Sequence, residues 1–416
     1  MSISTRVLLG LALGAAIGLS LAIWDPALAT TAASVVQPIG RLWLNALQMT
    51  VVPLVFALVV VGVNTTSHAA ASGRTARVAI TVFVVLLVLA STFAAFAAPA
   101  LLSLLPRDEA AVIAFRAALT PVEVQAGASG LGAAIAAMIP SNAIAAAAQS
   151  AMLPLVVFAL FFGFALTRID GEPRARMLGF VQIIADVTIV IVRWVLWAAP
   201  LGVFALMLAV CAQVGLTLLG ALGGYILMQC TMYIAVTLML YLVARVFGGE
   251  PFVRFASAIL PAQTIAASTQ SSLASLPAMI DSARTRLGYP LQVTSLVLPM
   301  AVSLFRITSP VKYMGVAAFV AWLYGIDVSA AHLAAGIALA VIISMGSVGL
   351  PGQVSFMATN VPVTQAMGLP IEPFGVLLAV DTIPDMFATL GNVSADLTAT
   401  SVVTKRTAPD SLGQSE

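Results

Sequence analysis

Apolar stretches of about 20 residues or more recur along this chain and constrain its fold more than any other feature. We place them at residues 5–24, 40–64, 76–105, 142–167, 177–209, 215–246, 291–325 and 371–403. A helix of that length crosses the hydrocarbon core of a bilayer. Only 8% of the residues are charged, whereas a soluble domain carries roughly 25%. The sequence therefore predicts an all-α polytopic membrane protein with eight transmembrane helices.

Two further apolar stretches, 255–283 and 332–366, differ from these because each is interrupted near its middle by small polar residues and proline. The first interruption runs from Ser268 to Pro277, and the second surrounds Gly349. Non-helical backbone at membrane depth is tolerated only where protein or a water-filled cavity satisfies its polar groups. We therefore predict two re-entrant helical hairpins, each with a non-helical tip.

The distribution of positive charge agrees with eight spans, two hairpins and an N-terminus on the inner side. Arg245 and Arg254 precede the first interrupted stretch, and Arg284 and Arg286 follow it. Counting that stretch as a full span would place the second pair on the opposite side, against the positive-inside rule. We predict a multi-pass protein of the cell membrane, of the bacterial inner-membrane type, with cytoplasmic N- and C-termini.

The two hairpins belong to a weak internal repeat. An interrupted stretch followed by a span with polar interruptions occurs at residues 255–325 and again at 332–403. Broken segments in corresponding positions of two halves indicate inverted repeats and a transporter binding site near the bilayer midplane.

Among the charged residues inside predicted spans, Arg306, Asp385 and Asp396 point most directly to function. A charge at the bilayer centre costs about 2.5–3.5 kcal/mol on insertion scales, so such groups usually line a solute or ion pathway. Thr389 and Asn392 follow Asp385 by four and seven residues. That spacing places all three on one helix face.

The end of the chain resembles the glutamate-transporter family, also described as dicarboxylate/amino acid:cation symporters. The residues from Asp381 to Asp396, DTIPDMFATLGNVSAD, are similar to the family's last-span motif D-x-x-x-D-x-x-R-T-x-x-N-V-x-G-D. The Ser-rich first interruption resembles the family's SSSxxLP element, and the letters GLPG from Gly349 resemble its second tip. The resemblance runs from the first span to Lys405.

The resemblance implies an elevator-type fold in a homotrimer, in which a moving unit gated by the two hairpins carries a small solute through the bilayer. The implied scaffold is residues 1–75 (helices 1 and 2) and 107–209 (helices 4 and 5). The implied transport domain is residues 76–106 (helix 3) and 210–404 (helix 6, hairpin 1, helix 7, hairpin 2 and helix 8), followed by a cytoplasmic tail at 405–416.

By resemblance, Asp385 is the carboxylate that binds a substrate amino group, which favours an amino acid. An ammonium entering a dry site needs such a counter-charge. The residues implied to bind the substrate are Ser271, Ser272, Arg306, Ser309, Gly349, Leu350, Pro351, Gly352, Asp385, Thr389 and Asn392.

The chain departs from the family at two places. Ala388 stands where carriers of acidic amino acids have an Arg, and Phe305, Arg306 and Ile307 stand where the family has Asn-Met-Asp at its sodium site. The chain is therefore an atypical member by resemblance. The implied ion region comprises Ala301, Ser303, Phe305, Arg306, Ser344, Ser347, Asn392 and Asp396.

Arg306 is a permanent cation in this implied ion region. Two interpretations of its role remain open. In the first, Arg306 neutralises Asp396, so we hypothesise that sodium coupling is reduced or lost. In the second, Arg306 binds a substrate carboxylate and restores acidic specificity. Lys312, less than two turns later, either extends towards the membrane surface or pairs with Asp381.

The predicted function is thus a secondary active transporter of a small neutral or acidic amino acid. The alternatives are a proton- or sodium-coupled dicarboxylate symporter and a substrate-gated anion pathway. We expect no cofactor beyond a coupling sodium ion or proton, no bound metal, no nucleic-acid partner, and a lipid bilayer as surroundings. An enzyme is not expected, since the Ser-rich tips have no His or Lys at the spacing of a nucleophile–base pair.

Overall fold

The computed structural model describes residues 3–71, 73–105, 139–149, 151–214, 217–346 and 352–407, and every regular element within these ranges is helical. The α-helices are α1 Ile3–Trp24, α2 Pro26–Gln48, α3 Val51–Ala71, α4 Arg74–Leu102, α5 Ala143–Ala148, α6 Met152–Leu166, α7 Glu172–Trp197, α8 Ala199–Val214, α9 Thr217–Val243, α10 Phe252–Thr269, α11 Ser272–Asp281, α12 Leu291–Leu304, α13 Thr308–Tyr324, α14 Ala330–Gly346, α15 Gly352–Ala366, α16 Phe374–Val380 and α17 Thr382–Thr407. Short π-helical turns follow α9 at Ala244–Gly248 and α11 at Ser282–Arg286. The all-helical class is confirmed for this part of the chain.

Five helical stretches in the described ranges are long and apolar enough to cross a membrane, or six if the bent pair α16 and α17 counts as one span. This agrees with a multi-pass membrane protein. The count of eight full spans remains a prediction, because several predicted spans consist of shorter helices.

Three of the predicted spans are each divided between two helices. The predicted span 40–64 consists of two helices, since α2 ends at Gln48 and α3 begins at Val51. Helix α2 also begins much earlier than predicted, because the Asp25 carboxylate accepts hydrogen bonds from two free N–H groups of its first turn, at 3.0 Å each. The predicted spans 142–167 and 177–209 are likewise divided, into α5 and α6 and into α7 and α8.

Both interrupted stretches form helix–turn–helix units. Helices α10 and α11 pack against each other across a turn at Gln270, which has a left-handed backbone with φ of 51°. Helices α14 and α15 also pack against each other; the predicted tip residues Ser347, Gly349, Leu350 and Pro351 lie outside the described residues. The helical pairs are thus confirmed, and their re-entry into the membrane remains a prediction.

Two helix breaks lie beside these helix–turn–helix units, one in the predicted span 291–325 and one in the predicted span 371–403. The chain leaves the helix between α12 and α13 at residues 305–307, and α16 meets α17 at an angle of 66° at Asp381. Helices α10 and α11 both pack on α17, whereas α14 and α15 both pack on α13. The packing therefore surrounds the two breaks with both helix–turn–helix units.

A separate group is formed by α1, α2 and α8, which pack closely on one another. Gly10, Gly14 and Gly18 of α1 face α8, and a β-carbon at these positions would lie 2.4, 2.6 and 2.7 Å from backbone oxygens of α8. Small residues four apart let two membrane helices approach backbone to backbone. This spacing was present in the sequence, and our sequence analysis did not use it.

Candidate substrate and ion site

The site begins at the break between α12 and α13, which is tied to α17 by hydrogen bonds. The backbone N–H and the hydroxyl of Thr308 both donate to Oδ1 of Asn392, at 3.1 and 2.9 Å. The helices come this close because residue 391 is glycine; a β-carbon there would lie 2.7 Å from Cγ2 of Thr308. Asn392 thus holds the start of α13 with its carbonyl oxygen.

A small cavity of about 20 Å³ lies between α13, α15 and α17. Four of the predicted substrate residues, Arg306, Ser309, Asp385 and Asn392, line it together. The full lining is Arg306, Thr308, Ser309, Lys312, Tyr313, Phe356, Thr359, Asp385, Ala388 and Asn392. The volume suits about one water molecule.

Three charged residues, Lys312, Asp381 and Asp385, form a cluster that we call the lysine triad. Lys312 and Asp385 line the cavity, whereas Asp381 is not part of the lining. The Lys312 ammonium donates to Oδ2 of Asp381 at 2.7 Å and to Oδ1 of Asp385 at 3.1 Å. The side chains of Lys312 and Asp381 are 9% and 1% exposed, and that of Asp385 is 16% exposed. Lys312 therefore pairs with Asp381, as one of our two readings had it, and also bridges to Asp385.

Three residues of α9 interact with the triad through Asp381. Tyr225, Cys230 and Tyr233 all interact electrostatically with Asp381. Oδ1 of Asp381 is buried without a hydrogen-bonding partner in the described structure. A buried acceptor without a partner carries a desolvation cost. The hydrogen bond from Lys312 to Asp381 therefore contributes more to the free energy of folding than an exposed ion pair would.

Asp396 is another buried carboxylate of α17, about three turns after Asp385. It is fully buried, and neither of its oxygens accepts a hydrogen bond from a described residue. Its electrostatic partner is Arg306. This arrangement agrees with the predicted proximity of Arg306 and Asp396.

Four further members of the predicted ion region, Ala301, Ser303, Phe305 and Ser344, lie in the apolar core or form hydrogen bonds within their own helices. The Phe305 ring is fully buried and stacks on Phe83 of α4, with centroids 4.7 Å apart and planes 6° apart. The hydroxyls of Ser303 and Ser344 donate within their own helices, to the carbonyls of Pro299 and Ala340. Ala301 is fully buried in the apolar core.

Two other predicted substrate residues, Thr389 and Ser272, do not line the cavity. Thr389 is not part of the lining, and its hydroxyl donates to the carbonyl of Asp385 at 2.9 Å. Ser272 begins α11, and its hydroxyl is buried without a hydrogen-bonding partner among the described residues. Gly352 begins α15.

The Ser271 hydroxyl caps α11 by accepting a hydrogen bond from the N–H of Ala274 at 3.2 Å. We expect Ser271→Ala to lower the free energy of unfolding by about 1 kcal/mol, since an N-cap side chain contributes about that much. Thermal unfolding of the detergent-solubilised protein measures this. Ser295→Ala is the control, because its hydroxyl donates only to the carbonyl four residues earlier, that of Leu291; an equal loss in both variants would contradict the capping role.

Sequence comparison identifies the family to which the chain belongs. The family model described as "Sodium:dicarboxylate symporter family" matches residues 3–406. The chain belongs to the sodium:dicarboxylate symporter family. Its relatives in this family include the proton/glutamate-aspartate symporter of Escherichia coli, 28% identical over 97% of this chain and 92% of the relative.

Other sodium:dicarboxylate symporter family relatives differ in what their names say they carry. The C4-dicarboxylate transport protein of Edwardsiella ictaluri is 27% identical over 97% of this chain and 93% of its own length. The neutral amino acid transporter B(0) of Oryctolagus cuniculus is 31% identical over 59% of this chain and 45% of its own length. The relatives therefore leave the class of solute open between amino acids and dicarboxylates.

Several cavity residues were missed by sequence reasoning. Tyr313, Phe356 and Thr359 line the cavity, and no motif marked them. Lys312 was considered only as a partner of Asp381, although its spacing of four residues from Thr308 places it on the same face of α13. That spacing was the available signal.

Proposed function

We propose that the protein is a secondary active transporter that moves a small carboxylate-bearing solute, an amino acid or a dicarboxylate, across the membrane. The observation that carries this proposal is the cavity between α13 and α17, where Arg306, Lys312 and Asp385 bring three charges together in a chain of apolar helices. Charges at such depth are costly and mark solute or ion pathways. Family relatives named for glutamate, aspartate and C4-dicarboxylate transport support the solute class.

The proposed transport mechanism is an elevator motion in a homotrimer. We assign the scaffold to residues 1–75 and 107–209, and the moving domain to residues 76–106 and 210–404, with cytoplasmic termini in an inner membrane of the bacterial type. The close packing of α1, α2 and α8 supports a rigid scaffold, and the packing of both helix–turn–helix units around α13 and α17 supports their role as gates. Eight spans and two re-entrant hairpins complete this proposal.

The coupling ion is the second part of the proposal. Sodium binds to several hard oxygen ligands, whereas the ion region here has Phe305 and Ile307 in the apolar core and Arg306 as the electrostatic partner of Asp396. A guanidinium beside this carboxylate supplies the positive charge that an ion would bring. We propose that sodium coupling is reduced or lost.

Uptake into proteoliposomes tests both parts. We expect saturable counterflow of aspartate or succinate that changes less than about twofold when sodium replaces potassium, because the guanidinium already neutralises the ion-site carboxylate. Sodium stimulation of about tenfold, equivalent to about 1.4 kcal/mol, would contradict the loss of sodium coupling. Linear anion flux without counterflow would instead indicate an anion pathway.

The variant Arg306→Met separates the two roles considered for this guanidinium. If Arg306 replaces an ion, the variant gains sodium dependence for every solute that it carries. If Arg306 binds the substrate carboxylate, the variant loses acidic solutes and keeps neutral ones, since a bidentate partner is lost. Arg174→Met is the control, because Arg174 is a partly exposed residue in the first turn of α7 and does not line the cavity.

A further inference from the structure

A second opening, which we call the arginine cleft, lies between α4 and α17 on the face that the proposed topology makes cytoplasmic. Arg74 and Arg77 belong to the first turn of α4, and Arg406 belongs to the last turn of α17. The two helices pack against each other and bring the three arginines to one open cleft of about 320 Å³. Small-molecule sites have volumes of about 300–1,000 Å³. The cleft shares no lining residue with the cavity beside the lysine triad.

The positive charge of the arginine cleft is not neutralised by the described residues. No acidic residue of the described ranges lines it, and the ion pairs within these ranges do not include Arg74, Arg77 or Arg406. Thr81 also lines the cleft, but its hydroxyl donates to the carbonyl of Arg77 at 2.9 Å. The guanidinium groups are therefore the main donors for a ligand, and their planar forks of N–H groups match the oxygens of a phosphate.

The start of α4 adds to this preference for an anion. Gly73 precedes the helix and offers no side chain to cap its first turn. The first N–H groups of a helix have no partner within the helix, and they carry the positive end of its dipole. Helix N-termini bind phosphate groups for this reason. The backbone and the side chains of Arg74 and Arg77 thus attract negative charge to the same end of α4.

An exposed apolar stripe of α4 begins beside the arginine cleft. Val78 lines the cleft, and Val85, Val88 and Leu89 are 50%, 41% and 59% exposed. Their spacing places all four on one helix face. The helix rises about 18 Å from Arg77 to Leu89, and one leaflet contributes about half of the roughly 30 Å hydrocarbon core. A molecule with a phosphate at one end and an acyl chain at the other therefore fits the cleft and the stripe together.

We propose that the arginine cleft binds the phosphate group of an anionic phospholipid of the cytoplasmic leaflet, and that an acyl chain of this lipid lies along the apolar stripe. Cytoplasmic leaflets carry anionic lipids, and basic pockets between membrane helices on this side bind their headgroups. A glycerol headgroup leaves the phospholipid with a net negative charge. A choline headgroup adds a cationic group, which the surplus guanidinium charge repels. This binding site is additional to the proposed transport function.

Lipid binding to the full-length protein in detergent, measured by native mass spectrometry, tests the proposal. We expect phosphatidylglycerol to bind at least about tenfold more tightly than phosphatidylcholine with the same acyl chains, because basic residues at the membrane surface attract anionic lipid. Inorganic phosphate at millimolar concentration is not expected to displace the bound lipid. Equal binding of the two lipids would overturn the proposal. Displacement by phosphate would also overturn it, and would indicate a site for a soluble anion.

The double variant Arg74→Gln/Arg77→Gln assigns the binding to the arginine cleft. It removes two charges from exposed positions, so phosphatidylglycerol is expected to bind at least about tenfold more weakly, and phosphatidylcholine equally well. Arg174→Gln/Arg176→Gln is the matched control, since both residues lie in the first turns of α7 on the same proposed face and Arg176 is paired with Glu172. An equal effect of both double variants, or no effect of the first, would contradict the proposed site.

Arg406→Gln is a further variant on the other helix of the cleft, should the double variant fold poorly. Loss of this single charge is expected to weaken phosphatidylglycerol binding about fivefold, and an unchanged dissociation constant would contradict the contribution of α17. These measurements do not involve transport. Failure of the lipid proposal would therefore leave the proposed transport function in place, and failure to observe counterflow would leave the lipid site in place.

Discussion

Lys312→Met is expected to destabilise the folded protein by about 3–5 kcal/mol, since removing one partner of a buried ion pair leaves an uncompensated charge. Here the single ammonium serves two carboxylates, at 2.7 and 3.1 Å, and Asp381 is 1% exposed. Methionine keeps most of the length and apolar character of the side chain, so the change removes charge rather than volume. The melting temperature of the detergent-solubilised protein measures the loss.

The double variant Lys312→Met/Asp381→Asn provides the decisive comparison. Replacing the buried acid as well removes the unpaired charge, so we expect the double variant to recover at least half of the lost stability. Lys405→Met is the control at an exposed lysine near the end of α17. A loss in the double variant equal to the sum of the single variants would show that Lys312 and Asp381 are not coupled.

Gly14→Leu is expected to separate α1 from α8 and to destabilise the protein by about 3 kcal/mol or more, the upper range for overpacking. Even a β-carbon at this position would lie 2.6 Å from the Phe204 carbonyl oxygen and 3.0 Å from Cβ of Met207. A backbone oxygen cannot rotate away as a side chain can, so the two helices must move apart. The melting temperature again provides the measurement.

Gly179→Leu is the matched control for this prediction. Gly179 lies within α7, and a β-carbon there would have no atom within 4 Å. Leucine also has a higher helix propensity than glycine, by about 0.8 kcal/mol. We therefore expect this variant to be as stable as the wild type or more stable, and equal destabilisation by both substitutions would contradict the close packing of α1 on α8.

Residue spacing in the sequence predicted part of the cavity. The heptad spacing of Asp385 and Asn392 predicted a shared helix face, and both residues line the cavity. Arg306 was predicted near Asp396, and the two are electrostatic partners. The interruption from Ser268 to Pro277 predicted a turn between two packed helices; the structure has this turn at Gln270, and the chain is helical again from Ser272. These features depend on residues of one helix or on a motif already known from relatives.

Helix boundaries were predicted less well, because hydropathy alone does not mark where one apolar helix ends and another begins. The chain from Pro26 to Ala71 is helical apart from a break at Met49 and Thr50, and no charged residue marks this break. Asp25 did carry a signal for the start of α2, since Asp followed by Pro is typical of a helix N-terminus.

The sequence by itself determined that this chain is a helical membrane protein of a transporter family, because apolar length and motif spacing are properties of consecutive residues. Only the tertiary structure decided that Lys312 bridges Asp381 and Asp385, that Phe305 stacks on Phe83, and that three glycines of α1 meet the backbone of α8. The physical reason is that these contacts join residues far apart in the chain. Their energies depend on distance and burial, which arise only when the helices pack.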